Sequence, residues 1–481
     1  MDLANCKIFE LNKHYYIYSA HLNDFAEIDE NMASYLLSRK KEKNICVEND
    51  IVLLEDMGFF KPVYEEMMNP ITPYLFDLVS NKIQHITLNI TQSCNFKCRY
   101  CVYANKNDFT ERNNSSVRME LQTIIAAIEF LNEHSSGISD LYINFYGGEP
   151  ILEFQLIQKA IDFAKKTMPH KNLHYQMTTN LSYINDDILK CFVDNNINLV
   201  VSIDGPQEIH NANRRFLSNG EGTFDVVYGN ILKLFNFNKT YFKEHVYFNC
   251  VINNSNQAEE IQTFFSAHPF ELKNVSLSRE YTNLQLAQED RTSSYDRDSE
   301  KFRFAYNFLS EYIKKTHLPS PDMYILSSEF TKNYTAFARC LSDRKTYYFY
   351  HHAGPCIPGQ SKLFVRSDGS ITLCENINEN SKALQIGTVF DGLDYNKIKE
   401  IANFGQITKE ECKKCWAVRF CSICPMQVDN ISELSREVNK SLCQVEKRKT
   451  MELMKEYLSV YLLVKRCVCD SKNIIGDKNG Y

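Results

Sequence analysis

The sequence predicts an α/β protein whose core is a partial (βα)6 barrel, flanked by a small winged-helix-like domain and a cysteine-rich C-terminal domain. Three observations support this fold class. Short β-rich runs alternate with amphipathic helical stretches between residues 81 and 285. Two β-prone runs and a helical pattern occupy the first 80 residues, and seven cysteines lie between Cys356 and Cys443. A chain of 481 residues is long enough for two or three domains.

Composition and charge exclude several classes of protein. Apolar residues make up 44% of the chain and charged residues 24%, which is the balance of a globular protein. The net charge of −6 indicates neither a nucleic-acid nor a membrane partner. The first 15 residues lack the apolar core of a secretory signal, and no run reaches the roughly 20 apolar residues of a membrane span. We expect a cytoplasmic protein.

Residues 1–80 have the pattern of a small independent unit. The run KIFELNKHYYIYSA contains two β-prone stretches interrupted at Asn12–His14, which predicts a hairpin. Asp29 can cap a following helix, and Ile51–Leu54 is expected to form a short strand. This winged-helix-like pattern fits a binding module or a plain packing domain.

Residues 81–285 are expected to form the barrel. The predicted strands are Ile86–Thr91, Leu141–Tyr146, His174–Thr179, Leu199–Asp204, His245–Ile252 and Val275–Arg279, with helices such as Leu121–Glu133, Phe154–Lys166 and Phe224–Phe235 between them. This alternation indicates successive βαβ units in a parallel sheet, with functional residues at the carboxyl ends of the strands. Six strands predict an open, TIM-like partial barrel.

The rest of the chain divides into three predicted segments. Residues 286–345 are expected to be a linker with bridging helices, 346–450 a cysteine-rich domain, and 451–481 a C-terminal helix with a polar tail. Seventeen cysteines, an odd number in a large chain, favour metal or redox use over disulfides. The loop-rich segment 346–450 is expected to build little core of its own and to be held together by metal clusters.

Cys94, Cys98 and Cys101 lie in one loop directly after the first barrel strand. Three thiolates can bind one [4Fe–4S] cubane and leave its fourth iron open to a small molecule, whereas a zinc loop usually closes four ligands in paired spacings. The segment CNFKCRYC resembles the C-x-x-x-C-x-x-C signature of radical S-adenosylmethionine (SAM) enzymes, with Tyr100 as the aromatic residue before the last cysteine. The resemblance implies one [4Fe–4S] cluster and SAM, whose reductive cleavage yields a hydrogen-abstracting 5′-deoxyadenosyl radical.

Two further motifs resemble the SAM-binding elements of that family. YGGEP, with Gly147, Gly148 and Glu149, is similar to the element whose backbone holds the methionine amino group with help from the glutamate. Glycines there would let the main chain approach the ligand closely. Asn180 ends the third predicted strand in the sequence TTN.

The segment SIDGPQEIHNANRR resembles an element of the peptide- and protein-modifying members. The resemblance assigns Ser202 and Asp204 to polar contacts with the ribose or methionine, and Arg214 to the cofactor carboxylate, which a guanidinium can bind in a bidentate way. The usual acidic residue after the histidine is Asn211 here. Turn or cap roles are the alternative for each of these polar residues.

The C-terminal cysteines resemble the SPASM extension, which binds two auxiliary [4Fe–4S] clusters. The resemblance assigns an outer cluster to Cys412, Cys415, Cys421 and Cys443, and an inner cluster to Cys356, Cys374 and Cys424. Two residues, Ser422 and Ile423, separate Cys421 from Cys424, whereas the family pattern has three residues there. Cys340 or the substrate could supply the fourth ligand of the inner cluster. A zinc ribbon is the alternative for this region.

Residues 1–80 resemble the recognition element that ribosomal-peptide maturases carry ahead of the radical domain, which binds a leader peptide as an added strand. The implied function is a maturase that installs a thioether, carbon–carbon or ether crosslink in a precursor peptide, with electrons from a donor such as a flavodoxin or ferredoxin. The alternatives are a sulfatase-type formylglycine maturase and a non-catalytic iron–sulfur or zinc scaffold that binds a peptide.

Overall fold

A computed structural model describes residues 3–38, 45–101, 115–252, 258–267, 275–279, 335–345, 347–352, 356–360 and 362–476. The predicted linker at Ala287–Ser299, and most of the predicted segment 286–345, lie outside these ranges. No helix within them is both long and apolar enough to span a bilayer.

The chain begins with a three-stranded antiparallel sheet. Strands β1 (Cys6–Leu11), β2 (His14–Ser19) and β3 (Asp24–Ile28) pair in chain order. Asn12 and Lys13 connect β1 to β2 with φ values of 53° and 66°, the left-handed conformation that a two-residue hairpin turn requires. The predicted hairpin is therefore confirmed, and β3 was not predicted.

Two helices cover one face of this sheet. Helix α1 (Glu30–Ser38) begins after Asp29, whose carboxylate accepts a 2.7 Å hydrogen bond from the Met32 amide as the predicted cap. Helix α2 (Ile45–Asp56) includes the segment predicted as a strand at Ile51–Leu54, so that prediction is wrong. Burial of Ile51 and Leu54 with exposure of the two residues between them is the i, i+3 pattern of a helix rather than the alternation of a strand.

A short parallel ribbon links the two ends of the chain. Strand β4 (Tyr64–Met67) pairs with β11 (Tyr347–Tyr350), and helix α3 (Leu75–Asn81) leads from β4 into the barrel. The predicted N-terminal unit is thus hydrogen-bonded to a segment more than 270 residues further along the chain.

The barrel strands lie where the alternation predicted them, with bounds within two residues. They are β5 (His85–Thr91), β6 (Asp140–Gly147), β7 (Asn172–Thr179), β8 (Asn198–Ser202), β9 (Val246–Ile252) and β10 (Val275–Arg279). Neighbours in the chain are parallel neighbours in the sheet. The helices between them are α4 (Leu121–Glu133), α5 (Phe154–Thr167), α6 (Asp186–Asp194), α7 (Gln207–Asn213), α8 (Phe224–Phe237), α9 (Lys239–His245) and α10 (Ala258–Ala267).

The two faces of the barrel sheet differ in polarity. On β5, Ile86, Leu88 and Ile90 belong to the core that the helices cover, while Thr87 and Asn89 lie on the opposite face. An apolar outer face and a polar inner face leave the chemistry-bearing side chains inside the barrel and at the carboxyl ends of its strands.

Four strands of the cysteine-rich region extend the same sheet. Strand β12 (Leu363–Val365) is parallel to β5, and β13 (Ser370–Thr372), β14 (Gln385–Thr388) and β15 (Gly392–Leu393) continue in antiparallel order. Leu363 of β12 joins the barrel core, so the first half of segment 346–450 packs on the barrel.

Helices complete the C-terminal region. Helix α11 (Tyr395–Ala402) and helix α12 (Lys409–Lys413) precede a long helix α13 (Arg436–Gly476). The predicted domain boundary at 450 falls inside α13, so the C-terminal helix begins in the cysteine-rich segment rather than after it.

Candidate active site

The motifs singled out in the sequence meet at the carboxyl edge of the barrel sheet. The cysteine loop follows β5, the Gly147–Glu149 turn follows β6, Asn180 follows β7 and Asp204 follows β8. Because these strands are adjacent and parallel, their carboxyl ends bring the four segments together.

Gly147 and Gly148 allow the turn after β6 to pack on the cysteine loop. Gly147 has φ +144°, and a Cβ at this position would lie 2.1 Å from the carbonyl oxygen of Thr91. A Cβ on Gly148 would lie 2.3 Å from the carbonyl oxygen of Ser93. The Gly148 and Glu149 amides donate 2.8 Å hydrogen bonds to these two carbonyl groups. In this structure the backbone that the glycines approach is therefore that of the cysteine loop itself.

Glu149 is fully enclosed beneath this turn. Its carboxylate accepts hydrogen bonds from the Thr179 hydroxyl (2.6 Å), the Asn180 amide (2.6 Å) and the Ile151 amide (3.1 Å). Burial raises its pKa to about 7, against the lowering effect of these donors. The carboxylate thus ties the ends of β6 and β7 together beside the cysteine loop.

Asp204 and Arg214 form a buried ion pair. The Arg214 Nε and Nη2 atoms donate to the two carboxylate oxygens at 3.0 and 3.1 Å, and the Val251 amide donates to one of them at 3.1 Å. The Tyr100 hydroxyl also donates to Asp204, and the Arg214 guanidinium lies 5.3 Å from the Tyr100 ring centroid. The pair therefore holds the cysteine loop, through Tyr100, against the end of β8.

The thiols of the loop lie among these polar groups. Burial raises the pKa of Cys98 to about 11 and that of Cys94 further still, and the charges of Cys98 and Cys101 add to the effect on Cys94. Asn180 Nδ2 lies 3.9 Å from the Cys94 sulfur and donates to Asn95 at 3.0 Å. Three cysteine thiols in one loop, with an asparagine donor beside Cys94, are a donor set that fits an iron–sulfur cluster.

His210 and Thr223 support the ion pair and were not identified as site residues from the sequence. The Asp204 amide donates to His210 Nδ1 at 3.3 Å, so the proton is on Nε2, which donates to the Thr223 hydroxyl at 2.9 Å. That hydroxyl donates to the Arg214 carbonyl at 3.1 Å. His210 lies within the segment SIDGPQEIHNANRR and could have been identified there. Thr223 lies outside that segment, and no sequence motif marks it as a site residue.

Two other motif residues, Ser202 and Asn211, lie at the ends of neighbouring elements. Ser202 is the last residue of β8, beside Asn249 of β9. Asn211 accepts a 2.9 Å hydrogen bond from the Phe224 amide at the start of α8. The residue that replaces the family's usual acid therefore caps a helix.

Residues 88–265 match the family model of the Radical SAM superfamily. The chain contains a radical SAM domain. Such a domain implies a [4Fe–4S] cluster and SAM as cofactors.

Relatives of the radical SAM domain align over only part of their length. An uncharacterised protein of Methanocaldococcus jannaschii is 34% identical over 155 residues, which cover 32% of this chain and 50% of the relative. A cysteine-type anaerobic sulfatase-maturating enzyme of Clostridium novyi is 30% identical over 183 residues, covering 37% of this chain and 47% of the relative. The chain therefore spans about half the length of these curated relatives.

Solved structures show a similar fold over more of the chain. Native anSMEcpe with bound AdoMet superposes with a TM-score of 0.54 at 21% identity, covering 81% of this chain and all of that one. Native anSMEcpe with bound AdoMet and Cp18Cys peptide gives a TM-score of 0.50 at 20% identity, covering 82% and 99% of the two chains. The likeness thus extends beyond the radical SAM domain to most of the described fold.

Outside the radical SAM domain, four cysteines line one cavity of about 200 Å³: Cys412, Cys415, Cys421 and Cys443. Burial raises the pKa of Cys412 to about 12, and the charges of Cys415 and Cys443 add to this. No group of three or more His, Cys, Asp or Glu side chains within the described ranges has the geometry to hold one metal ion. The four cysteines thus face a shared space rather than converge on a single point.

Cys356, Cys374 and Cys424 lie within electrostatic range of one another. Burial raises the pKa of Cys374 to about 11, with contributions from the charges of Cys424 and Cys356. Cys340 lies elsewhere, since its thiol donates to the Arg419 carbonyl at 3.2 Å and its pKa responds to Arg419 and Asp343. The structure therefore separates Cys340 from the inner group that it could have completed.

Proposed function

We propose that the protein is a radical SAM enzyme that modifies a ribosomally synthesised precursor peptide. The observation that carries this proposal is the meeting of the cysteine loop with the Gly147–Glu149 turn and the Asp204–Arg214 pair at one sheet edge. When bound there, SAM and the cluster supply a 5′-deoxyadenosyl radical that abstracts a hydrogen atom from the substrate.

In this proposal Cys94, Cys98 and Cys101 bind the radical cluster and leave one iron for SAM. The SAM-binding side is formed by Tyr100, Gly147, Gly148, Glu149, Asn180, Ser202, Asp204 and Arg214. Because Arg214 already donates two hydrogen bonds to Asp204, only its remaining N–H groups can reach the SAM carboxylate. The Asp204 pairing keeps the guanidinium in a fixed orientation for that contact.

We assign the outer auxiliary cluster to Cys412, Cys415, Cys421 and Cys443. Four cysteines around one shared cavity match the ligand number of a [4Fe–4S] cluster. We assign the inner cluster to Cys356, Cys374 and Cys424. With Cys340 bonded to Arg419, the inner cluster can keep an open iron, which favours a thioether product over a carbon–carbon or ether bond.

The N-terminal sheet is the proposed leader-binding surface. One face of the sheet packs under α1 and α2, and residues of its other face, such as Tyr16 and Tyr18, pack near Trp416. The edges of β1 and β3 are then the places where a leader could add a strand. The peptide bound to anSMEcpe supports a peptide substrate, and a flavodoxin or ferredoxin would supply the electrons.

Anaerobic reconstitution with iron and sulfide, followed by a 5′-deoxyadenosine assay under dithionite, tests the radical assignment. We expect about 12 irons per chain, as three four-iron clusters require, and cleavage of SAM. A variant with Cys94, Cys98 and Cys101 changed to Ala should lose about 4 irons and all cleavage. A cluster-loaded protein that forms no 5′-deoxyadenosine would contradict the proposal and favour a non-catalytic scaffold.

A sulfatase-type maturase is the second candidate. The Clostridium novyi relative is a sulfatase-maturating enzyme, and the anSMEcpe structure has a similar fold. The Cp18Cys peptide is a direct probe. Conversion of its cysteine to an aldehyde, detected by mass spectrometry, would select this second function. SAM cleavage without change to the peptide would leave the precursor-peptide function preferred.

A further inference from the structure

His352 lies in the wall of the outer cysteine cavity. It follows β11 by two residues, is only 1% exposed, and lines the same space as Cys412, Cys415, Cys421 and Cys443. Its ring stacks on that of His351 at a centroid distance of 5.0 Å, and Phe404 meets both rings edge-on. These contacts fix the imidazole at the cavity.

Neither ring nitrogen of His352 has a hydrogen-bond partner within the described residues. The neighbouring His351 has one such bond, since its Nε2 accepts from the Gly405 amide at 2.9 Å while its Nδ1 has no described partner, and its ring does not line the cavity. A buried donor left unsatisfied costs about 1–3 kcal/mol, so a neutral imidazole in this position calls for an acceptor.

The two acidic side chains at the cavity bond to other groups, although Glu411 Oε2 has no partner among the described residues. Glu411 pairs with Arg436 at 2.7 Å and with Lys440 at 3.2 Å, and Glu446 accepts from the Ser422 hydroxyl at 2.9 Å. None of these groups bonds to His352. Since no described side chain bonds to His352, an occupant of the cavity is the candidate acceptor for its N–H.

We propose that His352 donates a ring N–H hydrogen bond to a sulfur of the outer auxiliary cluster and thereby raises its reduction potential. This inference rests on the proposed assignment of that cluster. Reduction adds negative charge that spreads onto the sulfurs, and a donor beside them stabilises the reduced form more than the oxidised form. His352 is thus a positioning and tuning residue that makes the outer cluster a better electron acceptor.

The test is a potentiometric titration of the outer cluster, followed by electron paramagnetic resonance. The background is the full chain with Cys94, Cys98 and Cys101 changed to Ala, so that only auxiliary clusters contribute. His352→Leu should lower the equilibrium constant for one-electron reduction roughly tenfold, a shift of about 59 mV to more negative potential. His352→Gln, which restores an N–H donor, should recover most of the shift.

The outcomes separate this inference from the cluster assignment. Cys443→Ala identifies the outer signal, and if it changes neither the iron count nor the spectrum, the assignment of the outer cluster itself is wrong. If the signal is present and its potential is the same in His352→Leu, the hydrogen bond to sulfur is refuted while the cluster stands. Loss of about 4 irons in both His352→Leu and His352→Gln would also overturn the tuning role, because His352 would then be needed for cluster binding.

Discussion

Asp204 and Arg214 are both more than nine-tenths buried, so each charge depends on the other. Removing one partner of a buried ion pair leaves an uncompensated charge and typically costs 3–5 kcal/mol. We expect Asp204→Asn to lower the free energy of unfolding by about 3 kcal/mol or more and to abolish SAM cleavage. Asp225→Asn, an exposed carboxylate bonded only to Gln207 among the contacts seen, is the matched control and should change stability by less than about 0.5 kcal/mol. Equal stability losses in the two variants, measured by urea unfolding, would argue against the buried pair.

His210 predicts a pH dependence of stability. Burial lowers its pKa from 6.5 to about 3, with the nearby Arg214 charge adding to the shift. Between these values the unfolded chain binds more protons than the folded one, so the free energy of unfolding falls as pH falls below 6.5. His210→Gln keeps both hydrogen-bonding roles without titrating, and should reduce the slope between pH 7.5 and 5 by up to about 1.4 kcal/mol per pH unit.

Thr223→Val is the control for the pH experiment. It removes the hydroxyl that bonds to His210 and to the Arg214 carbonyl, without removing the imidazole. We expect a curve displaced to lower stability at every pH, with a slope like that of the unmodified protein. Superimposable slopes for the unmodified protein and His210→Gln would show that His210 does not contribute to the pH dependence.

The motifs in the sequence indicated which residues gather at the site, but not how they bond to each other. Glu149, Asp204 and Arg214 were all expected to face the cofactor, yet each is also bonded to protein groups. The bond between Glu149 and Thr179, for example, joins the ends of two strands at residues that are 30 positions apart in the chain. A single sequence contains no signal for such pairings beyond the expectation that parallel strands end at one edge.

At the scale of elements, Gly147 predicts a large effect of adding one methyl group. Gly147→Ala would place Cβ 2.1 Å from the Thr91 carbonyl oxygen at a φ of +144°, so the turn must separate from the cysteine loop. We expect loss of the radical cluster's roughly 4 irons and of SAM cleavage. Gly229→Ala in α8 meets nothing within 4 Å and should stabilise the protein by about 0.5–1 kcal/mol. Normal iron loading in Gly147→Ala would refute this packing argument.

Long elements with clear periodicity were predictable, and short ones were not. The six barrel strands and the helix Leu121–Glu133 follow from apolar patterns of many residues. The four-residue run Ile51–Leu54 is too short to distinguish a strand from a turn of helix. Strand β12 has three residues, and its partner β5 lies about 270 residues earlier, so no local pattern indicates its place in the sheet.

At the scale of the whole molecule, the N-terminal sheet and the outer cysteine segment form one packed unit. Tyr16 and Tyr18 share a buried cluster with Trp416, which follows Cys415 directly. Residues 1–80 were expected to be a separate domain because their strand and helix patterns can be recognised from neighbouring residues alone. The contacts that join the N-terminal sheet to the outer cysteine segment connect positions about 400 residues apart in the chain, so a local sequence pattern does not indicate them.

Arg419 is the residue that holds this unit together. Arg419 lies between Cys415 and Cys421 in the sequence. Its guanidinium donates hydrogen bonds to the carbonyl groups of Ala20, His21, Asp343 and Lys345. A lysine has no planar fork and cannot span these acceptors, so Arg419→Lys should weaken docking of the N-terminal sheet by about 1–3 kcal/mol.

Hydrogen exchange measures that docking directly. In Arg419→Lys we expect faster exchange at the amides of β1 and β2 and a lower iron content at the outer cysteines, with SAM cleavage by the radical domain retained. Arg436→Lys, whose partner Glu411 is at the surface end of the same region, should leave exchange in β1 and β2 unchanged. If exchange rises in β1 and β2 while outer iron content is normal, the sheet and the outer cluster are mechanically independent. If both change together, a leader strand bound to this sheet would act on the outer cluster through a side chain already positioned between them.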